Sequence, residues 1–311
     1  MATPDIAQKH MDVAARAPDR NAAEAAGIAQ RLPPLLLAAE RIAATVEQGV
    51  HGRRRTGPGE VFWQYRTYYP GDELKRLDWR ASAKTDRLYL RQLEWSASQS
   101  VYLWCDLSPS MVYASRRDLP TKAERAQVLG LALASVLARA GERVGLLGHP
   151  EPPSAGRNVT ERLAERLFVD ARDSAHATSL PPPSELPSHS HALLISDFLS
   201  PLEDLQSVIA GFAGRNIHGH LLQVLDPAEQ AMPFTGRVRF LGLEQEGDML
   251  MSRAEAIREQ YLERLDAHQQ ALRELARHAG WSMTVHVTDG APASSVLALY
   301  QWLAADRRLR R

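Results

Sequence analysis

The chain has 311 residues, 44% of them hydrophobic and 24% charged, a balance that can bury a sizeable core. Its 37 Lys and Arg equal its 37 Asp and Glu, so global charge gives no pull toward nucleic acid or a membrane surface. The single cysteine, Cys105, excludes an internal disulfide, and its place in an apolar run reads as a small buried residue rather than a reactive thiol.

The first 33 residues are rich in Ala with scattered charge and predict a mobile leader. Asp5, Asp12, Asp19 and Glu24 interrupt any signal-peptide pattern. A helix is predicted over 34–48, with Leu36, Leu37, Ile42 and Val46 for one face and Gly49 as its stop. Residues 50–98 are dense in Arg, Tyr, Trp and Gly and predict an ordered loop segment with one short strand at Leu88–Leu90. From Gln99 onward, apolar runs alternate with amphipathic helices. The strands are Val101–Cys105, Arg143–Leu147, Ala192–Ile195, His220–Leu225 and Met283–Val287. Continuous apolar strands belong in a parallel sheet covered on both faces.

Capping-box pairs predict helix starts at Thr121/Glu124, Ser200/Glu203 and Ser252/Glu255, with Gly141, Gly214 and Gly280 near the ends. Shorter helices are predicted at Asn158–Phe168 and Val296–Ala304. Residues 171–191 predict a Pro-, Ser- and His-rich loop, and 226–251 a loop with a hairpin. The alternation predicts an α/β fold with a doubly wound, mostly parallel sheet flanked by helices. The chain then divides into a leader (1–33), a helix with a basic aromatic segment (34–98), an α/β domain (99–305) and a basic tail (306–311). The longest apolar stretch, Val128–Ala138, falls short of the ~20 residues a membrane span needs. A cytoplasmic protein is expected.

Ligands of an open parallel sheet bind beyond the carboxyl ends of its strands. There the first long strand delivers Asp106-Leu107-Ser108-Pro109-Ser110, and a later one delivers Ser196-Asp197-Phe198. A carboxylate and two hydroxyls at alternate positions suit a hard cation such as Mg2+, with Mn2+ or Ca2+ as substitutes. A coordination position left open can take an acidic residue of a partner protein. An Asp–Ser turn that only caps a helix is the plainer reading of the same loop. A metal-dependent phosphoryl transferase with Asp106 as nucleophile is a weaker alternative. Ser108 stands where such enzymes want a second acid, and no lysine has an obvious strand-end context.

Residues 51–91 carry ten Lys and Arg against five acids, with Tyr65, Tyr68, Tyr69 and Trp79. Nucleic-acid binding would use such a set. Internal ion pairs ordering an irregular segment account for it better, and no nucleic-acid partner is expected. Of the 11 histidines, His189 and His191 in the Pro- and Ser-rich loop and His218 and His220 at a strand start read as exposed loop residues rather than metal ligands, and the basic tail as a solvated end.

Asp106-x-Ser108-x-Ser110-Met111 resembles the metal-ion-dependent adhesion site of von Willebrand factor A-like domains. The run from Arg66 through Gly71-Asp72-Glu73, Asp78-Trp79 and on to Lys84 is similar to the signature of the bacterial family called domain of unknown function 58. Leu90–Glu94, Leu194–Phe198 and Val224–Glu229 continue it, so that the likeness spans about residues 40–303. The resemblance implies a von Willebrand factor A-like fold, a MoxR-type AAA+ ATPase as partner, and no established reaction. The expected function is a non-enzymatic interaction module working in assembly or maturation of other proteins. Asp106, Ser108, Ser110 and Asp197 would be its metal ligands, and Arg66, Asp72, Asp78 and Trp79 its docking face. Adhesion sites also take a threonine from between the two Asp-bearing strands. Thr178 or Ser179 are the candidates here, with Ser174 and the helical Thr160 behind them.

Overall fold

A computed structural model describes residues 33–48, 61–69, 77–83, 87–94, 99–156, 158–172, 178–241 and 247–309. Residues 1–32 of the predicted leader, Asp72, Ser174 and the end of the basic tail lie outside them. Helix α1 (33–48) turns Ala39, Ala43 and Val46 into the core, spaced as one helical face requires. Strands β1 (Val61–Thr67) and β2 (Tyr89–Glu94) pair antiparallel, with the short helix α2 (Trp79–Ser82) between them. The loop expected over 50–98 is corrected at this point. Val61-Phe62-Trp63-Gln64-Tyr65 is β-favouring, and its partner strand lies too far along the chain for a local pattern to reveal.

Five strands follow in one sheet: β3 (Ser100–Cys105), β4 (Arg143–Leu146), β5 (His191–Ser196), β6 (His218–Leu225) and, after the separate antiparallel pair β7 (Val238–Leu241) and β8 (Asp248–Met251), β9 (Ser282–Val287). Their order is β4-β3-β5-β6-β9, and every pairing is parallel. The helices between and after them are α3 (Lys122–Arg139), α4 (Val159–Arg172), α5 (Leu202–Ala213), α6 (Pro227–Ala231), α7 (Arg258–His278) and α8 (Pro292–Leu309).

Both faces of the sheet are covered, which is why its strands read as unbroken apolar runs. Val101, Leu103 and Cys105 pack toward α1, α3, α4 and α8. Tyr102 and Trp104 pack toward α5 and α7. Gly130 lets α3 approach β3, since a Cβ there would stand 3.2 Å from the Cys105 sulfur. Thr121 and Glu124 form the expected capping box of α3, and Gly141, at φ +82°, closes the turn after it.

The two other predicted boxes are corrected. Pro201 caps α5 with no side-chain bond, and Ser200 donates instead to the Ser179 hydroxyl at 2.7 Å. Helix α7 begins only at Arg258, after a 3-10 turn over Ala254–Ile257, and Glu255 accepts from the Gly236 N–H. In both places a tertiary partner took the side chain that a local pattern assigned to the helix end. Among the described residues, no helix is long and apolar enough to cross a membrane.

Candidate functional site

Strand β3 has β4 on one side and β5 on the other. The chain leaves β3 in one direction and returns on the opposite side, so the carboxyl ends of β3 and β5 flank the switch point, where an open α/β sheet forms its crevice. Asp106 and Asp197 stand at those two ends. The Asp106 N–H donates to the Ile195 carbonyl at 2.8 Å, which carries the sheet pairing one residue further and locks the two loops together.

Asp106 is fully buried. One of its oxygens accepts the Ser108 N–H at 2.8 Å, and the other accepts the Ser196 hydroxyl at 2.6 Å. Burial raises its carboxyl to about 6, against the hydrogen bonds from Ser196 and Ser108 that favour the charged form. The Ser108 and Ser110 hydroxyls lie 3.1 Å apart. Ser196 in turn accepts the Phe198 N–H at 2.9 Å. Phe198 is buried with φ +52°, a conformation that costs a non-glycine residue about 1–2 kcal/mol. His268 Nε2 fixes the Phe198 carbonyl at 2.7 Å. Backbone strain is thus held beside Asp197 by bonds from two elements.

Asp197 is equally buried, and its partner is a lysine. Lys122 Nζ donates to Asp197 Oδ2 at 2.9 Å and to Glu229 Oε1 at 2.5 Å. Lys122 is itself 1% exposed. Burial works to lower its pKa, but Asp197 and Glu229 outweigh that and raise it, so the ammonium stays charged. The other Asp197 oxygen accepts the Leu199 N–H, and its carbonyl accepts Gln223 Nε2. Glu229 also closes the capping box of α6 onto Asp226. Asp226, at the end of β6, accepts the Ser115 N–H at 2.9 Å and pins the loop that follows Ser110.

Sequence reasoning missed Lys122 and Glu229. Lys122 sits just inside a capping box, where it reads as an ordinary first-turn residue. One signal was available: the chain has only four lysines beside 33 arginines. The threonine candidates each have a partner or place of their own. Thr178 is exposed and donates to the Leu180 carbonyl, Ser179 accepts from Ser200, and Thr160 is buried in α4. In the basic aromatic segment, Asp78 accepts the Arg80 N–H, Trp79 is 66% exposed, and Arg66 lies in β1.

The histidines are corrected: His191, His220 and His286 are buried in the sheet. Cys105 is buried as expected, its thiol pushed up to about 12 by burial first and the neighbouring acids second. Burial thus disfavours its thiolate.

The donor set tests the implied cation. Two ligands on adjacent corners of a Mg2+ octahedron lie about 2.9 Å apart, close to the observed spacing of the Ser108 and Ser110 hydroxyls. Asp106 keeps lone pairs beyond its two hydrogen bonds. The spacing of the two hydroxyls is one that two ligands of a hard cation would also take. Asp197 is the acid already held by an internal charge. Among the described residues, no group of three or more His, Cys, Asp or Glu could hold a metal.

The family model described as "Protein of unknown function DUF58" matches residues 64–271. The chain belongs to this family. Among curated proteins it is similar to the "Uncharacterized protein Rv1480" of Mycobacterium tuberculosis and "Uncharacterized protein Mb1516" of Mycobacterium bovis. Each is 26% identical over 301 residues, covering 88% of this chain and 87% of the relative. A crystal structure of an uncharacterized membrane spanning protein from Vibrio fischeri matches with 15% identity and a TM-score of 0.16, over 66% of this chain and 96% of that one.

Proposed function

We propose that this chain is a non-enzymatic protein-interaction module with a von Willebrand factor A-like sheet, docking a partner at the carboxyl ends of β3 and β5. The supporting observation is the close pair of Ser108 and Ser110 hydroxyls on the loop that Asp106 anchors at the switch point. Asp106, Ser108 and Ser110 would hold a divalent cation, Mg2+ or else Mn2+ or Ca2+. Such an ion supplies a positive centre for an acidic side chain of the partner. Val112 and Leu199, on the loops leaving the same two strands, are 57% and 52% exposed. They offer apolar contact around a polar centre, the usual anatomy of a docking surface.

Arg66, Asp72, Asp78 and the exposed Trp79 are proposed as a second part of the docking face. By family resemblance the partner is a MoxR-type AAA+ ATPase, and the process is assembly or maturation of other proteins. The complete burial of Asp106, with hydrogen bonds to both oxygens, favours a holding role over nucleophilic attack. The test is capture of a purified MoxR-type ATPase on immobilised wild-type protein and on Asp106→Ala, in Mg2+ and in chelator. Capture by wild type in Mg2+ alone is expected. Equal capture in all lanes removes the metal, and hydrolysis of an aryl phosphate that Asp106→Asn abolishes replaces the reading with catalysis.

A further inference from the structure

We infer that Lys122 is the resident counter-cation of this edge, holding Asp197 out of a metal's reach and confining any divalent ion to Asp106, Ser108 and Ser110. This rests on the strand-end oxygens being the cation site proposed above. Four observations point to it. The ammonium is buried with two carboxylates within 2.9 Å. Both carboxylates are oriented by further bonds, Asp197 through the Leu199 N–H and Glu229 through the Asp226 N–H. The Lys122 backbone N–H is tied to the Tyr113 carbonyl, so the loop carrying Ser108 and Ser110 returns directly to the lysine. The loops that follow β3, β5 and β6 are thereby joined at one residue, the first by its backbone N–H and the other two by its ammonium.

The physical consequence is competition. A cation at Ser108 and Ser110 would have Asp106 as the carboxylate of its own loop, while Asp197 stays bound to the ammonium, which would also repel the cation. Lys122→Met keeps the stem and removes the charge. Asp197 and Glu229 are then stranded, and a divalent ion becomes the group best able to balance them.

Wild type and Lys122→Met are titrated with Mn2+, followed by electron paramagnetic resonance, and melted in chelator and in Mn2+. The variant is expected to melt on the order of 10 °C lower in chelator, to regain part of that in Mn2+, and to bind Mn2+ at least about tenfold more tightly than wild type. A wild-type melting temperature in chelator, or unchanged Mn2+ affinity, overturns the inference. If Lys122→Met does not fold, the triple variant with Asp197→Asn and Glu229→Gln decides. Its folding supports charge compensation, and its failure to fold overturns it. Chelator-insensitive partner capture by wild type would remove the metal from docking while leaving these comparisons intact.

Discussion

Two buried polar networks share one sheet and meet burial in opposite ways. At the carboxyl ends of β5 and β6, Asp197 and Glu229 both pair with the Lys122 ammonium. Near the amino ends of β6 and β9, His220 is held between the Ser282 and Thr284 hydroxyls, each at 2.8 Å, and burial pushes its pKa down to about 4. The first network stands where strands give way to loops and can supply N–H donors to each carboxylate. The second lies between pleated neighbours that offer only hydroxyls, so the imidazole stays neutral. A charged buried set therefore needs backbone ends around it, and a neutral one does not.

The comparison breaks most sharply if one acid is removed. Asp197→Leu leaves the ammonium with one partner and should destabilise the fold by about 3–5 kcal/mol, read as a drop in the urea midpoint. A change under about 1 kcal/mol would mean that the pair contributes no charge balance worth the name. The neutral network predicts an acid effect instead. The folded pKa of His220 lies below its ordinary value of 6.5, so its contribution is present above pH 6.5 and lost as pH falls toward 4. The loss amounts to about 3 kcal/mol. Urea midpoints of wild type and His220→Gln between pH 7 and pH 4.5 check it. The variant should lose less, though not nothing, because His286 is also lowered to about 4, by burial first and Arg125 second.

A smaller effect of opposite sign sharpens the contrast. Asp106→Asn removes a charge whose burial raises its pKa and should stabilise the protein by about 1–2 kcal/mol at pH 7.5. It should also abolish chelator-sensitive docking. The smallest effect belongs to the rim. Leu199→Ser and Val112→Ser should change stability by less than about 0.5 kcal/mol while weakening partner capture, and full capture by both would displace the docking face from this edge.

Much of the α/β half could be read directly. The strand of Val101–Cys105 and the capping box at Thr121 were legible because burial on both faces and a helix end each leave a local mark. Asp106 and Asp197 could be placed on one edge because parallel strands deliver their ends together. The strand β1 was not legible, since its pairing is with a distant segment, and neither was the fate of Ser200 and Glu255, which found tertiary partners. The core histidines were misread for a related reason: their tolerance of burial depends on Ser282, Thr284 and Ser295 across the sheet or in the next helix.

The sequence by itself determined the layered α/β architecture, the family, and the candidate loop Asp106-x-Ser108-x-Ser110, because periodicity and motif spacing are local properties. Only the tertiary structure decided what Asp197 faces. Lys122 and Glu229 lie 75 and 32 residues from it along the chain, and no spacing rule joins them. The parallel neighbours β5 and β6 do, by bringing the loops at their carboxyl ends to one buried ammonium.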